Sequence, residues 1–450
     1  MNELIYIYAT GAIIAGYFLV RLALGKIDPF ESVWMFLLGY AQLYVLQPWT
    51  YHDWAVGVRG ARLVADANFR ILWSLLWFLA VYHLNPFRLL ASAIPRPPRV
   101  WSPGLVAVVS PLLIVWGLYC ARSVMYWNEN EASQSPEARI LASFPFVMNV
   151  AAILLIVTGR NSEAPRPGFT VAGVFTSGIY IALWIFLGKR SPSLIAFLTT
   201  LCALYITRLR RPSWTVLISS GLVGVLVVTM ALAWRMDKSH PRNLGGFFAF
   251  LVDFDPSEAL ERLNLAEGDG DREEEVSHET EEYGGFLLMM DTVPDKSEYD
   301  YGMNYLKAFS TFIPRIVWKD KPIFGREAWR HAWVVGSEFN REDDFASPAI
   351  GILGATQLNG GAFATFIVVA VAAATIRAAY DYFLRYADLP WTQFFWSVTY
   401  YNAWLMVVTD DPLVWFYFSW GFMVFPLVIL TWFVNKLGEP LEAGRPVAVG

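Results

Sequence analysis

An all-α membrane protein with about eleven spanning helices is predicted from three observations. Of the 450 residues, 56% are apolar and only 16% are charged, against about a quarter charged in ordinary soluble domains. Mean hydropathy is positive. Runs of about 20 mostly apolar residues, the length that crosses a hydrocarbon core at 1.5 Å per residue, recur along the chain. They cover 4–24, 31–49, 69–87, 103–123, 140–158, 169–188, 191–207, 213–234, 348–376, 391–408 and 412–434. The last two are divided only by Asp410-Asp411-Pro412.

The ends of these runs carry Tyr6, Trp49, Trp73, Trp101, Trp127, Trp234 and Trp391. Amphipathic rings prefer the headgroup level. Cationic residues in the short connections set the orientation. With the N-terminus outside, the cytoplasmic side receives Arg21, Lys26, Arg88, Arg96, Arg99, Arg160, Arg166, Arg208, Arg210, Arg211, Arg377, Arg385, Lys436 and Arg445. The other side receives Arg59, Arg62, Arg139, Lys189 and Arg190, with acidic residues around Asn128 to Glu137 and at Asp410-Asp411. An N-out, C-in multi-pass protein of the cytoplasmic (inner) membrane is expected. The first apolar run follows an acidic segment and lacks a small-residue cleavage site, so it is expected to stay as a helix. Cys120 and Cys202 lie in or beside apolar runs and build neither a disulfide framework nor a thiolate metal site.

Four segments result: helices one to eight over 1–234, a polar loop over 235–347, helices nine to eleven over 348–434, and a tail over 435–450. The loop is expected to face away from the cytoplasm. Leu244 to Val252 is a short apolar piece that suits the interface. Glu258 to Glu282 is strongly acidic, the pattern of a solvated segment; no EF-hand spacing runs through Asp269 and Asp271. Further on, Tyr305, Phe309, Phe312, Ile313, Ile316 and Val317 recur at three- and four-residue steps, the apolar face of a surface helix. Pro314 should end or kink it and leave Arg315, Trp318, Lys319 and Lys321 at headgroup level.

The run Tyr301-Gly302-Met303-Asn304-Tyr305-Leu306, followed by Ile313-Pro314-Arg315-Ile316-Val317-Trp318-Lys319-Asp320-Lys321-Pro322, resembles the Wzy-type oligosaccharide repeat-unit polymerases of O-antigen and exopolysaccharide assembly. Gly188-Lys189-Arg190-Ser191 resembles a short turn of the wider polymerase and O-antigen ligase superfamily. Sequence-level likeness covers about a tenth of the chain. It also departs from the family: Gly354-Ala355 and Asn359-Gly360-Gly361 stand where a Gly-Glu pair and an Asn-Phe-Gly are usual.

The resemblance implies a GT-C-like glycosyltransferase core and a metal-independent reaction without a cofactor. A growing glycan leaves its polyprenyl diphosphate for a hydroxyl of an incoming lipid-linked oligosaccharide. The leaving diphosphate chiefly needs positive charge that strengthens as the glycosidic oxygen becomes anionic. Arginine supplies it in a planar, always-charged fork. Arg190, Arg315, Lys321 and Lys189 are therefore diphosphate candidates, with Arg235 a further one; Tyr305 and Trp318 are candidates for the sugar. His331 and Glu282 are candidate bases, with Glu281, Asp291, Asp343 and Asp344 as alternatives. Asp253-Phe254-Asp255 matches the D-x-D of metal-dependent glycosyltransferases, a pattern short enough to arise by coincidence in a polar loop. Expected partners are a polyprenyl-diphosphate-linked oligosaccharide, the lipid bilayer and a chain-length regulator, with no nucleic acid. Ligase, lipid-linked sugar transporter and scaffold are the competing readings. A transporter would show repeats, broken helices or charge inside spans.

Overall fold

A computed structural model describes residues 3–84, 86–125, 144–161, 165–237, 239–257, 281–303, 305–306, 318, 327–337, 349–409 and 424–438. Among these the chain is helical, without strands. In order, the helices are α1 Ile5–Ala23, α2 Ser32–Ala41, α3 Gln47–Thr50, α4 His52–Arg59, α5 Ala61–His83, α6 Pro86–Ala93, α7 Pro103–Met125, α8 Phe146–Arg160 and α9 Pro167–Phe186. They continue as α10 Arg190–Ile206, α11 Trp214–Met236, α12 Leu244–Asp253, α13 Glu282–Thr292, α14 Glu327–Gly336, α15 Gly351–Arg385, α16 Pro390–Ser397, α17 Asn402–Val408 and α18 Phe425–Leu437. Among the described residues six of them, α1, α5, α7, α9, α11 and α15, are long and apolar enough to cross a membrane. Along α11, Ile218, Leu222 and Val225 are exposed, an apolar surface that suits lipid and not water. The chain has the build of a helical membrane protein.

The remaining predicted runs take other forms. The run 31–49 is α2 and α3 joined through a π-helical turn, Gln42–Leu46. The runs 140–158 and 191–207 become helices of 15 and 17 residues. The run 391–408 is two short helices with a turn at 398–401. Most of 412–434, the acidic block and the predicted surface helix beyond Leu306 lie outside the described residues. Leu244 to Val252 forms α12.

The chain divides into two compact units that cut across the linear segments: Met1–Ala93, Arg262–Tyr382 and Tyr400–Ser419 in one, Ile94–Glu261, Phe383–Thr399 and Trp420–Gly450 in the other. In the first, Val33, Phe36, Leu37, Tyr40 and Tyr44 are buried with Ile71, Leu75, Phe78 and Tyr82 of α5. Both sets repeat at three- and four-residue steps, so each helix offers one apolar stripe. Phe36 stacks on Phe78 with ring centroids 3.6 Å apart. The Tyr40 hydroxyl lies 2.6 Å from the Ile71 carbonyl and 2.7 Å from Ser74 Oγ, which satisfies a buried polar tip.

Helix α13 joins this core, with Tyr283, Phe286 and Leu287 buried. The Tyr283 hydroxyl donates to Asn68 Oδ1 over 2.9 Å, and Asn68 Nδ2 donates to the Glu3 carbonyl. Near the other end of α5 the charges are paired. Glu31, 1% exposed, forms an ion pair with Arg21 and accepts a 2.8 Å hydrogen bond from Tyr82. Arg377 pairs with Asp381 at 2.8 Å and lies 5.3 Å from the centroid of the Tyr82 ring. Tyr380 donates to Asp28.

In the second unit α8 is buried on every face from Val147 to Gly159. A helix apolar all round belongs at a centre, and α7, α9, α10 and α16 surround it. Its buried Thr158 accepts from Trp101 Nε1 at 3.0 Å and donates to the Leu154 carbonyl at 2.8 Å. The far end of α9 meets the end of α11, where the first group of candidate residues lies.

Candidate functional site

Helix α9 closes on Gly188, whose φ of +67° is left-handed. The Gly188 N–H donates to Ile185 and the Lys189 N–H to Trp184, both at 2.9 Å, which satisfies carbonyls left open at a helix end. A Cβ on Gly188 would meet Arg235 Cβ at 3.1 Å. Glycine is therefore favoured twice, by its dihedral and by the neighbour. The chain then turns extended through Lys189 and starts α10 at Arg190. Lys189, Arg190 and Arg235 are all exposed. Two consecutive residues and one from the end of α11 thus share one basic corner.

Arg242, which sequence reasoning passed over, completes it. Its guanidinium donates to the carbonyls of Trp234, Arg235 and Asp237, the last two at 2.7 and 2.8 Å. It also lies 4.6 Å from the Trp234 ring centroid, a cation–π contact. Trp234 Nε1 donates to the Phe186 carbonyl at 2.6 Å, so the ends of α9 and α11 are tied together. An anion at this corner would meet fixed positive charge.

Behind the corner, His240 links Asp237 (Nδ1 to Oδ2, 2.8 Å) and Asp253 (Nε2 to Oδ2, 3.4 Å). Asp255 accepts from the backbone and hydroxyl of Ser257. Each carboxylate of the D-x-D triplet is thus engaged locally, and among the described residues no group of three His, Cys, Asp or Glu side chains is placed to hold a metal ion. The hydrogen bond to Asp237 raises the His240 pKa. Burial alone would raise Asp237, but hydrogen bonds from Ser239 and His240 bring it down to about 2.

The sign of the linkage follows. Protonated His240 stabilises the fold fully below its unfolded pKa of about 6.5, and this is lost as pH rises through the raised folded value. Asp237 stays ionised throughout that window. His240→Gln should therefore lower the melting temperature at about pH 6 and match wild type at about pH 9. Equal loss at both pH values in a thermal scan would contradict a charged latch.

The other candidates lie in the first unit. Glu282 opens α13 and accepts from Gln47 Nε2 at 2.8 Å, while Gln47 Oε1 accepts from the Tyr283 N–H at 3.0 Å. His331 is exposed on α14, whose Ala332 and Trp333 are buried with Leu288, Met289 and Val293. No hydrogen bond joins Glu282 to His331 among the described residues. Asp291 is held by Arg59 at 3.2 Å and Lys296 at 2.7 Å. Trp318 is exposed. Arg315, Lys321, Asp343 and Asp344 lie outside the described residues.

Tyr305 leads to a feature the hydropathy reading did not reveal. Helix α15 has 35 residues, about 52 Å if straight, against a hydrocarbon core of about 30 Å. It is broken at Gly360 (φ 144°, ψ 24°) and Gly361 (φ 64°, ψ −136°). The break frees the Leu358 carbonyl, which accepts from the Asp300 N–H at 2.9 Å. Asn359, 7% exposed, donates to the Tyr305 hydroxyl at 3.3 Å and accepts from the Gly302 N–H at 3.2 Å. The start of the Tyr301–Leu306 motif is therefore seated on the broken helix. Thr356 and Thr365 bridge the two halves at 2.8 Å.

Arg70 of α5 meets the same break through Gln357 Oε1. Gln357 is buried and its Nε2 donates to the Val293 carbonyl at 2.5 Å, which fixes its oxygen toward the guanidinium. Arg70 stands nine residues in from Ala61, inside the helix, because α5 begins eight residues before the predicted run at 69. Arg62, Asp66 and Asn68 lower the hydropathy before 69, so the predicted run placed Arg70 at its edge and not inside a span. No protein-family model, curated protein or solved structure matches this chain.

Proposed function

We propose that this chain polymerises lipid-diphosphate-linked oligosaccharide repeat units by glycosyl transfer. The observation that carries the reading is the basic corner of Lys189, Arg190 and Arg235, built on the turn that resembles the polymerase and ligase superfamily. Its exposed cations suit a diphosphate leaving group, whose developing charge they would stabilise. The Tyr301–Leu306 motif, held by Asn359 at the α15 break, supports a sugar-binding role for Tyr305, with Trp318 and the Arg315–Lys321 block beyond it. Glu282 and His331 remain the proposed bases. On this reading the protein is a multi-pass enzyme of the cytoplasmic membrane with about eleven spans and a GT-C-like core. The N-terminus lies outside, the C-terminus inside, and the chemistry takes place at the outer face.

A transporter of lipid-linked sugars is the second reading, favoured by the broken α15 and by Arg70 within a spanning helix. Purified protein supplied with a lipid-diphosphate-linked repeat unit separates the two. Glycans longer by whole repeats, resolved by mass, are expected. Covalently unchanged substrate from folded protein and its own matched glycan would remove the polymerase and leave the transporter. A single transfer to another acceptor, without a ladder, would indicate a ligase.

A further inference from the structure

Arg70 is a cation set inside a helix, and among the described residues no anion matches it. No carboxylate lies within 4 Å of it among the described residues; its bonded partner is the neutral Gln357 amide. The titratable groups that act on it are Tyr299 and Asp66. Asp66 is one turn away on the same helix and forms no ion pair with it. A guanidinium has five donors in a rigid fork, and one of them meets Gln357. Elsewhere in the same unit the interior charges are matched, as Arg21 is by Glu31 and Arg377 by Asp381. A half-buried, unmatched guanidinium is disfavoured unless an anion completes it.

The surroundings indicate which anion. Arg70 lies about 13.5 Å along α5 from Ala61 at 1.5 Å per residue, inside the helix and beside the break in α15. Beside the same break stand Tyr299, whose hydroxyl is 2.9 Å from where a Gly361 Cβ would be, and the exposed Tyr301, edge-on to Tyr299 at 5.7 Å. Buried Asn359 holds Tyr305 there. Amides and tyrosine faces next to a guanidinium suit a sugar joined to a phosphate.

We propose that Arg70, aimed by Gln357 at the Gly360–Gly361 break, seats a phosphate oxyanion of the second lipid-linked substrate, the repeat unit whose hydroxyl accepts the growing chain. The inference rests on the polymerase reading, in which two lipid-linked units react, one giving up its glycan and the other accepting it through a sugar hydroxyl.

The test counts undecaprenyl diphosphate on the intact protein, by native mass spectrometry from phosphatidylcholine nanodiscs with and without phosphatidylglycerol. Wild type should bind two. Arg70→Gln should weaken one of them by about 10- to 100-fold, the loss expected for charged hydrogen bonds, and Arg190→Ala with Arg235→Ala should weaken the other. Arg70→Lys keeps the charge but not the fork, so it should retain two with one of them weakened. It serves as the readout if the glutamine variant does not stay monodisperse. Two undiminished sites in both Arg70 variants would overturn the proposal. So would one site in wild type that only the Arg190 and Arg235 changes remove, which leaves the polymerase reading standing. Displacement from the Arg70 seat by equimolar phosphatidylglycerol would make it an ordinary headgroup site and also overturn it. No binding by folded wild type would remove the polymerase reading itself.

Discussion

Glu31→Ala should destabilise the protein by about 3–5 kcal/mol, the range for removing one partner of a buried ion pair. Glu31 is 1% exposed, and Arg21 and Tyr82 both direct their polar ends at it. Alanine would leave a guanidinium and a hydroxyl without their acceptor. Thermal unfolding in one detergent should show a large drop in melting temperature, with a smaller one for Glu31→Gln, which keeps an acceptor oxygen. A change below about 1 kcal/mol, the worth of an exposed pair, would contradict the buried network.

Replacing Arg190 and Arg235 together by alanine should slow glycan extension by at least 10²- to 10³-fold, the usual loss for one donor to a developing oxyanion. Both side chains are exposed, so stability should change by less than about 0.5 kcal/mol. Arg190→Lys should recover part of the rate, since lysine restores the charge without the bidentate fork. Initial rates under single-turnover conditions, beside a melting curve, make the distinction. A double variant that extends glycans at the wild-type rate would show that the corner only anchors the turn.

The long apolar runs were legible because length and composition suffice for a spanning helix, as α1, α7, α9 and α11 show. Short buried helices were not. Helix α13 has 11 residues, too few to span, and follows an acidic run, so Phe286 to Met289 gave no separate signal. The Gly360–Gly361 pair was noted only as a departure from a family pattern, although consecutive glycines are a breaker signal in themselves. The predicted run from 69 placed Arg70 at the edge of a span, whereas the helix continues back through Asn68 and Asp66 to Ala61. Arg235 was identified as a cation leaving a helix. Its place against Gly188 depends on which helix ends meet, and one chain's periodicity carries no such pairing.

In the proposed polymerase reaction, glycan leaves one polyprenyl diphosphate for the hydroxyl of another lipid-linked unit. Free polyprenyl diphosphate, counted against repeats joined by the purified wild-type protein, tests it most directly. The account predicts one lipid diphosphate released for every linkage formed, in parallel with a ladder of whole repeats. Movement of the lipid-linked glycan across the bilayer with no diphosphate released would contradict it and make the chain a transporter.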